Sequence, residues 1–261
     1  MLKQRVITAL VLVVLLIPIL FLLPAAFALG TFAVIAALGA WEWSRMSSPI
    51  AVGHRLFPLW ILACCAMCLR YPQLQLPICA LAAGFWLLMP FWLVWRWKLP
   101  YQLGYLVGTI VLVPTWIAMT RLHGLGPWVL LAALALVWVA DISAYFVGRA
   151  IGRHQLAPAV SPGKTWEGAA GAVVGCTAYV FALRNFASLH LPVNAVVITF
   201  ITMLLVAVSI VGDLFESMIK RQAGVKDSSQ LLPGHGGVLD RIDSLTAALP
   251  VLVVVIGYLS Q

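Results

Sequence analysis

Charge is the scarcest feature of this 261-residue chain: only 9% of its residues are Asp, Glu, Lys or Arg, against roughly 25% in an ordinary soluble domain. That shortage excludes a water-soluble globule, which could not cover its surface. Acids are rarer still. Eight Asp and Glu stand against sixteen Lys and Arg, and residues 1–140 hold a single acid, Glu42. No internal repeat and no polar linker divides the chain, so separate soluble domains are excluded as well. Cysteine is missing from the polar segments. Cys64, Cys65, Cys68, Cys79 and Cys176 all lie in apolar runs, which reads as small apolar packing rather than a metal site or a disulfide framework.

What is present is apolar sequence: 63% of the residues are hydrophobic and the mean hydropathy is +1.05. It comes in runs near the ~20 residues that a helix needs to cross a bilayer core. About nine are read, over residues 6–23, 25–40, 56–69, 74–95, 103–119, 128–147, 168–183, 195–211 and 244–259. A spanning segment must satisfy its own backbone hydrogen bonds, so each is expected to be helical. The fold class is an all-α polytopic membrane protein. The basic start and Ala26-Phe27-Ala28 imitate a signal peptide. The first apolar run, however, is longer than the usual h-region of about 7–15 residues, and another follows at once, so an uncleaved first span is expected.

Numbering nine spans from the inside places thirteen Lys and Arg on inner segments and only Arg70, Arg121 and Arg184 on outer ones. That asymmetry puts the N-terminus in the cytoplasm and the C-terminus in the periplasm. The inner bases suit anionic lipid headgroups, and nothing in them requires nucleic acid.

The chain divides unevenly. Residues 1–140 read as a scaffold of transmembrane helices, with Glu42 between Trp41 and Trp43 in an interfacial anchor that does no chemistry. Residues 141–261, within the same integral unit, hold the other seven acids and read as the catalytic region. Its polar segments, 148–167 and 212–243, fall on one membrane face and are placed to share a site.

Asp213, Glu216, Ser217 and Lys220 share one helical face. The bland reading of this face is an Asp213–Lys220 or Glu216–Lys220 ion pair at the helix end, and the functional one makes Asp213 a ligand for a hard cation. Asp240 and Asp243 repeat the i, i+3 pattern, although Asp243 alone would serve as a helix N-cap. Carboxylates without a His or Cys cluster suit Mg²⁺ better than zinc. Between them, "PGHGG" at 233–237 offers close-approaching amides, and Lys220, Arg221, Lys226 and Arg241 surround it with positive charge. His235 is expected to order that loop rather than to transfer a proton. "SPGKTWEG" at 161–168 is not a P-loop, since Pro158 stands where the first glycine belongs and no strand precedes it. Ser161, Lys164 and Thr165 nonetheless offer a charge and two hydroxyls to phosphates, and Glu167 falls at a helix start. Asp141 is either an interior partner for a base or a wall of the polar cavity.

The stretch "SMIKRQAGVKDSSQLLPGHGGVLDRID", 217–243, resembles the signature of the bacterial CDP-diacylglycerol synthases, also called phosphatidate cytidylyltransferases. "SPGKTWEG" and "DISAYFVGR" match further blocks of that family in order and spacing, and "WEW" at 41–43 recurs there. The resemblance runs over essentially the whole chain. Ser229 and Gln230 depart from the family pattern, and neither is expected to touch the chemistry.

The resemblance implies a nucleotidyltransferase of the cell inner membrane that joins CTP to phosphatidic acid, giving CDP-diacylglycerol and pyrophosphate for phospholipid synthesis. It implies Mg²⁺, potassium as a second ion, a homodimer, and metal ligands at Asp213 and Asp240, with Asp243 as a third acid. An ion-coupled transporter is the rival from another class, but the acids sit in one half and no inverted repeat appears. Another Mg²⁺-dependent lipid phosphotransferase would carry an Asp-Gly, Ala-Arg motif that is missing.

Overall fold

The computed structural model describes residues 2–48, 51–94, 98–186 and 194–259. Trp95, the end of the fourth apolar run, and Arg96, counted among the inner bases, lie outside the described residues, as do the side chains of Lys3 and Arg5. Among the described residues the chain forms α1 (Leu2–Phe21), α2 (Ala25–Ser47), α3 (Gly53–Arg70), α4 (Gln75–Val94, entered through a 3-10 turn), α5 (Tyr101–Leu125), α6 (Pro127–Ile151), α7 (Trp166–Phe186), α8 (Ala195–Gln222) and α9 (Leu239–Leu259).

Seven of these, α2 and α4 to α9, are long and apolar enough to cross a membrane. That is fewer than the nine runs of the sequence reading. The described apolar part of α1 is short, running over Leu10–Phe21, and α3 carries Arg55 and Arg70 near its ends. The fold is therefore helical and polytopic.

Two local features depart from the expectation. A small antiparallel hairpin, β1 (Gln155–Ala157) and β2 (Ser161–Thr165), interrupts the helices between α6 and α7. And α8 runs eleven residues past Val211, where its apolar run ends. Its 28 residues span about 42 Å at 1.5 Å per residue, more than a ~30 Å hydrocarbon core. The surplus turns carry Asp213, Glu216 and Lys220 at one end of the bundle.

The two halves are packed together, with α4 and α5 against α9, and α2 against α5, α8 and α9. The core lies where α2, α4 and α8 meet: Phe215 sits 5.6 Å from Trp86, 5.8 Å from Phe85 and 6.2 Å from Trp43, measured between ring centroids. Trp43 is buried and donates its indole N–H to the Gly104 carbonyl at 2.8 Å, so it is a core residue rather than an interfacial anchor. Cys65, Cys68, Cys79 and Cys176 are buried among apolar neighbours.

Without a hydrophobic force between helices in lipid, close approach depends on small residues. At Gly171 of α7 a Cβ would lie 2.6 Å from the Cβ of Val147 on α6. At Gly212 of α8 it would lie 2.8 Å from the Asp243 carbonyl oxygen on α9. Gly84 of α4 has nothing within 4 Å. Gly171→Ala is expected to destabilise the protein by about 1–3 kcal/mol through overpacking. Gly84→Ala should be neutral or slightly stabilising. Thermal unfolding midpoints of the two variants in detergent check this.

Candidate active site

The charged end of the bundle begins with the last turns of α8. Asp213, Glu216 and Lys220 share a face, and Phe215 between them anchors the helix in the aromatic core. The helix stops at Gly224, whose φ of 72° is the left-handed conformation that glycine supplies at a C-terminus. Val225 N–H donates to Lys220 O at 2.9 Å and Gly224 N–H to Arg221 O at 3.1 Å, the hydrogen-bond pair of a Schellman motif. The loop then turns at Leu232-Pro233-Gly234-His235. His235 N–H donates to Leu232 O at 2.9 Å and Gly234 has φ 75°, as a type II turn with proline second and glycine third requires.

The amides of this loop cradle anions, and the anions are the protein's own carboxylates. Asp240 Oδ2 accepts from Gly237 N–H (2.7 Å), Ser228 N–H (2.9 Å) and the Ser228 hydroxyl (2.9 Å). Asp240 Oδ1 accepts from Lys220 Nζ at 2.7 Å. Glu42, fully buried on α2, accepts from Leu239 N–H (2.7 Å), Val238 N–H (2.9 Å) and Ser229 Oγ (2.6 Å), and shares the single proton of Ser228 Oγ (3.1 Å) with Asp240. It thus caps the N-terminus of α9 from another helix, where the backbone dipole favours a negative charge. A Cβ on Gly237 would lie 2.4 Å from Glu42 Oε1, and one on Gly236 2.5 Å from Asp240 Oδ2. These glycines are needed for approach to carboxylates.

Lys220 is itself buried, 3.1 Å from Glu216 Oε1 and bonded to Asp240. Apart from that ammonium, neither oxygen of buried Glu216 has a hydrogen-bond donor among the described residues. One ammonium thus balances two buried acids, and the group ties α8 to the start of α9.

A second set of charges faces a cleft of 270 Å³ between α6, the hairpin and α8, lined by Asp141, Tyr145, Gly163, Lys164, Thr165 and Asp213. Lys164 on β2 pairs with Asp213 Oδ2 at 2.5 Å, both side chains about a quarter exposed. Asp213 Oδ1 accepts from Ser217 Oγ at 3.3 Å. Asp243 lies on α9 where that helix crosses α8 closely at Gly212. The hairpin carrying it is secured at its base: Trp166 N–H donates to His154 O at 2.9 Å, and the Glu167 carboxylate engages His154 Nδ1 at 2.6 Å.

The structure therefore sorts the residues singled out from sequence. Asp141, Lys164 and Asp213 meet in the cleft, with Asp243 beside them. Glu216, Lys220 and Asp240 form the buried tie. Thr165 caps α7, its hydroxyl accepting from Gly168 N–H at 3.1 Å, and its ring of neighbours is Gly148, Gly152 and Gly168. Ser161 opens β2 opposite Ala157, away from the lining of the cleft. His235 belongs to the turn. Arg221, Lys226 and Arg241 are exposed and form no ion pair among the described residues. Lys226 lines a separate polar cleft of 710 Å³ with Trp41 and Arg45.

Glu42 is the residue the sequence reading set aside as part of an anchor. Its signals were being the lone acid in residues 1–140 and lying in the recurring Trp-Glu-Trp at 41–43. Ser229, not expected to touch the chemistry, is one of its donors and so has a structural part.

The donor set fits a hard cation. Among the described residues no three His, Cys, Asp or Glu side chains converge to close a metal shell by themselves. Magnesium asks less: one or two carboxylates, with waters and substrate oxygens completing its octahedron.

The family model of the cytidylyltransferase family matches residues 3–259. A phosphatidate cytidylyltransferase of Pseudomonas aeruginosa is 40% identical over 96% of this chain and 95% of its own length. One from Haemophilus influenzae is 39% identical over 96% of each chain. One from Brucella abortus is 52% identical over 45% of this chain.

Lys220→Met leaves Glu216 and Asp240 buried without their cation, which costs about 3–5 kcal/mol. It is expected to lower the thermal midpoint and the yield of folded protein in detergent. Lys220→Arg, which keeps the charge, should recover part of the loss.

Proposed function

The chain belongs to the cytidylyltransferase family, and on that footing we propose that it transfers the cytidylyl group of CTP to phosphatidic acid. The products are CDP-diacylglycerol and pyrophosphate. The observation that carries this reading is the cleft where Lys164, Asp213 and Asp141 meet: a charged site at the end of a membrane-embedded bundle suits a reaction between a lipid phosphate and a nucleotide. No observation favours a transporter.

The phosphate monoester of the lipid is already anionic, so it needs no strong base. One of its oxygens forms a bond to the α-phosphorus of CTP as the bond from that phosphorus to the β-phosphate oxygen breaks, and pyrophosphate leaves. The barrier is the repulsion between two polyanions, and positioning and charge neutralisation lower it. Lys164 meets a phosphate oxygen by exchanging Asp213 for it. Arg221, Lys226 and Arg241, exposed at the same end, draw in the triphosphate. Asp213 and Asp243 would hold Mg²⁺, with Asp141 adding negative charge and potassium as a second ion; bound there, the magnesium ion would offset the charge of the phosphates. Asp240 would join that set only by exchanging Lys220 at Oδ1. Ser161 and Thr165 position the hairpin that carries Lys164.

The same reading places nine spans in the cell inner membrane as a homodimer. The N-terminus and the charged end face the cytoplasm and the C-terminus faces the periplasm, so CTP arrives from water and the lipid from the inner leaflet.

Purified protein in detergent, given CTP, phosphatidate and Mg²⁺, is expected to release pyrophosphate only when both substrates are present. Asp213→Asn should lower turnover at least ~100-fold, the equivalent of about 3 kcal/mol, without lowering the thermal midpoint. Full turnover by this variant would remove Asp213 from the chemistry.

A further inference from the structure

The loop that Glu42 organises has a second face. There lies the polar cleft of 710 Å³, between the end of α2 and the segment that follows α8. It shares no lining residue with the cleft of Lys164 and Asp213.

We infer that this second cleft binds the phosphodiester headgroup of an anionic membrane lipid that is not consumed, and that the bound headgroup steadies the loop over residues 226–239. The inference stands apart from the proposed activity, since it concerns a ligand that stays bound rather than one that reacts.

Four observations carry it. The first is an unused cation held in place. The Arg45 guanidinium lies 4.8 Å from the centroid of the Trp41 ring. Among the described residues it has no hydrogen-bond acceptor and no acid partner. Stacking on an indole fixes the planar fork while leaving its donors free, and phosphate oxygens match that fork in pairs.

The second is net charge. The lining holds Arg45, Lys226 and Asp227, two cations and one acid, and none of them forms an ion pair among the described residues. The surplus of one positive charge matches a phosphodiester, which carries one negative charge, better than it matches a nucleoside triphosphate.

The third is depth. The apolar run of α2 ends at Ala40, and Arg45 stands five residues on, about 7.5 Å along the helix. The headgroup layer beside the hydrocarbon core is roughly 5–7.5 Å thick on each side, and tryptophan favours that level. Val225 and Leu231, 40% and 45% exposed, give the cleft an apolar rim, which suits a lipid over a free solute. Basic pockets between membrane helices are where anionic headgroups bind.

The fourth is connection. Ser228 and Ser229 form part of the wall. The Ser229 hydroxyl donates to Glu42, and that of Ser228 is shared between Glu42 and Asp240. A headgroup seated against Arg45 and Lys226 therefore ties α2 to this loop a second time, on the face opposite Glu42.

The test is amide hydrogen exchange on the unaltered protein and on Arg45→Gln, in nanodiscs of phosphatidylcholine alone or with phosphatidylglycerol added. Phosphatidylglycerol should slow exchange over residues 226–239 about fivefold or more in the unaltered protein, and Arg45→Gln should lose most of that slowing. Arg45 is exposed, so the variant should keep its thermal midpoint in detergent. Equal slowing in both proteins means a general attraction to a charged surface and overturns the inference. Slowing by CTP or by inorganic phosphate in phosphatidylcholine alone, lost in Arg45→Gln, makes the cleft a site for a solute and also overturns it.

A phosphatidylglycerol carrying a diazirine on its headgroup supplies a second measurement, which needs no variant. Adducts concentrated on residues 41–46 and 223–231 support the site. Adducts spread over the ends of all the helices overturn it.

Discussion

A single buried carboxylate organises the charged end of this protein. Glu42 is fully enclosed, and its two oxygens receive the amides of Val238 and Leu239 and the hydroxyls of Ser228 and Ser229. A charge at membrane depth costs a few kcal/mol, and a carboxylate offsets that cost when it is hydrogen-bonded on all sides. Here the compensation comes from a helix N-terminus and a loop nearly two hundred residues away in sequence. The first half of the chain thus does more than span the bilayer: α2 delivers the anion around which the loop between α8 and α9 is folded.

From that fixed point the remaining acids divide by task. Asp240 and Glu216 share Lys220 and tie α8 to α9, and the Gly236–Gly237 backbone closes over Asp240 and Glu42. Asp141 and Asp213 line the cleft with Lys164, which pairs with Asp213, and Asp243 follows at the close α8–α9 crossing. In the first group Glu42 and Asp240 are satisfied by protein donors, and Glu216 has the Lys220 ammonium beside it. The second lies at the edge of the bundle beside the cleft, where its carboxylates would hold a hard cation that offsets the charge of phosphates.

Much of this was legible in the sequence. Over the described residues the nine apolar runs fall largely in helices, seven of them long and apolar enough to span, because apolar sequence away from water has no other way to satisfy its backbone. The ends were harder to read. The α8 helix outran its apolar stretch because Glu216 and Lys220 are buried by pairing, and a pattern of hydropathy scores them as loop. The hairpin escaped because strands of three and five residues carry too little alternation to register. The clustered charges near 213–243 announced a site, but not its division of labour. A glycine-rich turn looks the same whether its amides hold a phosphate or a neighbouring carboxylate, and Glu42 meets its partners only through the fold.

The division between acids that hold the loop and acids that meet substrate can be measured directly by amide hydrogen exchange over residues 226–239 in detergent. The account predicts that Glu42→Gln exposes these amides, whereas Asp213→Asn abolishes turnover and leaves their protection unchanged. Equal loss of protection in both variants would contradict it, because the two sets of carboxylates would then be one.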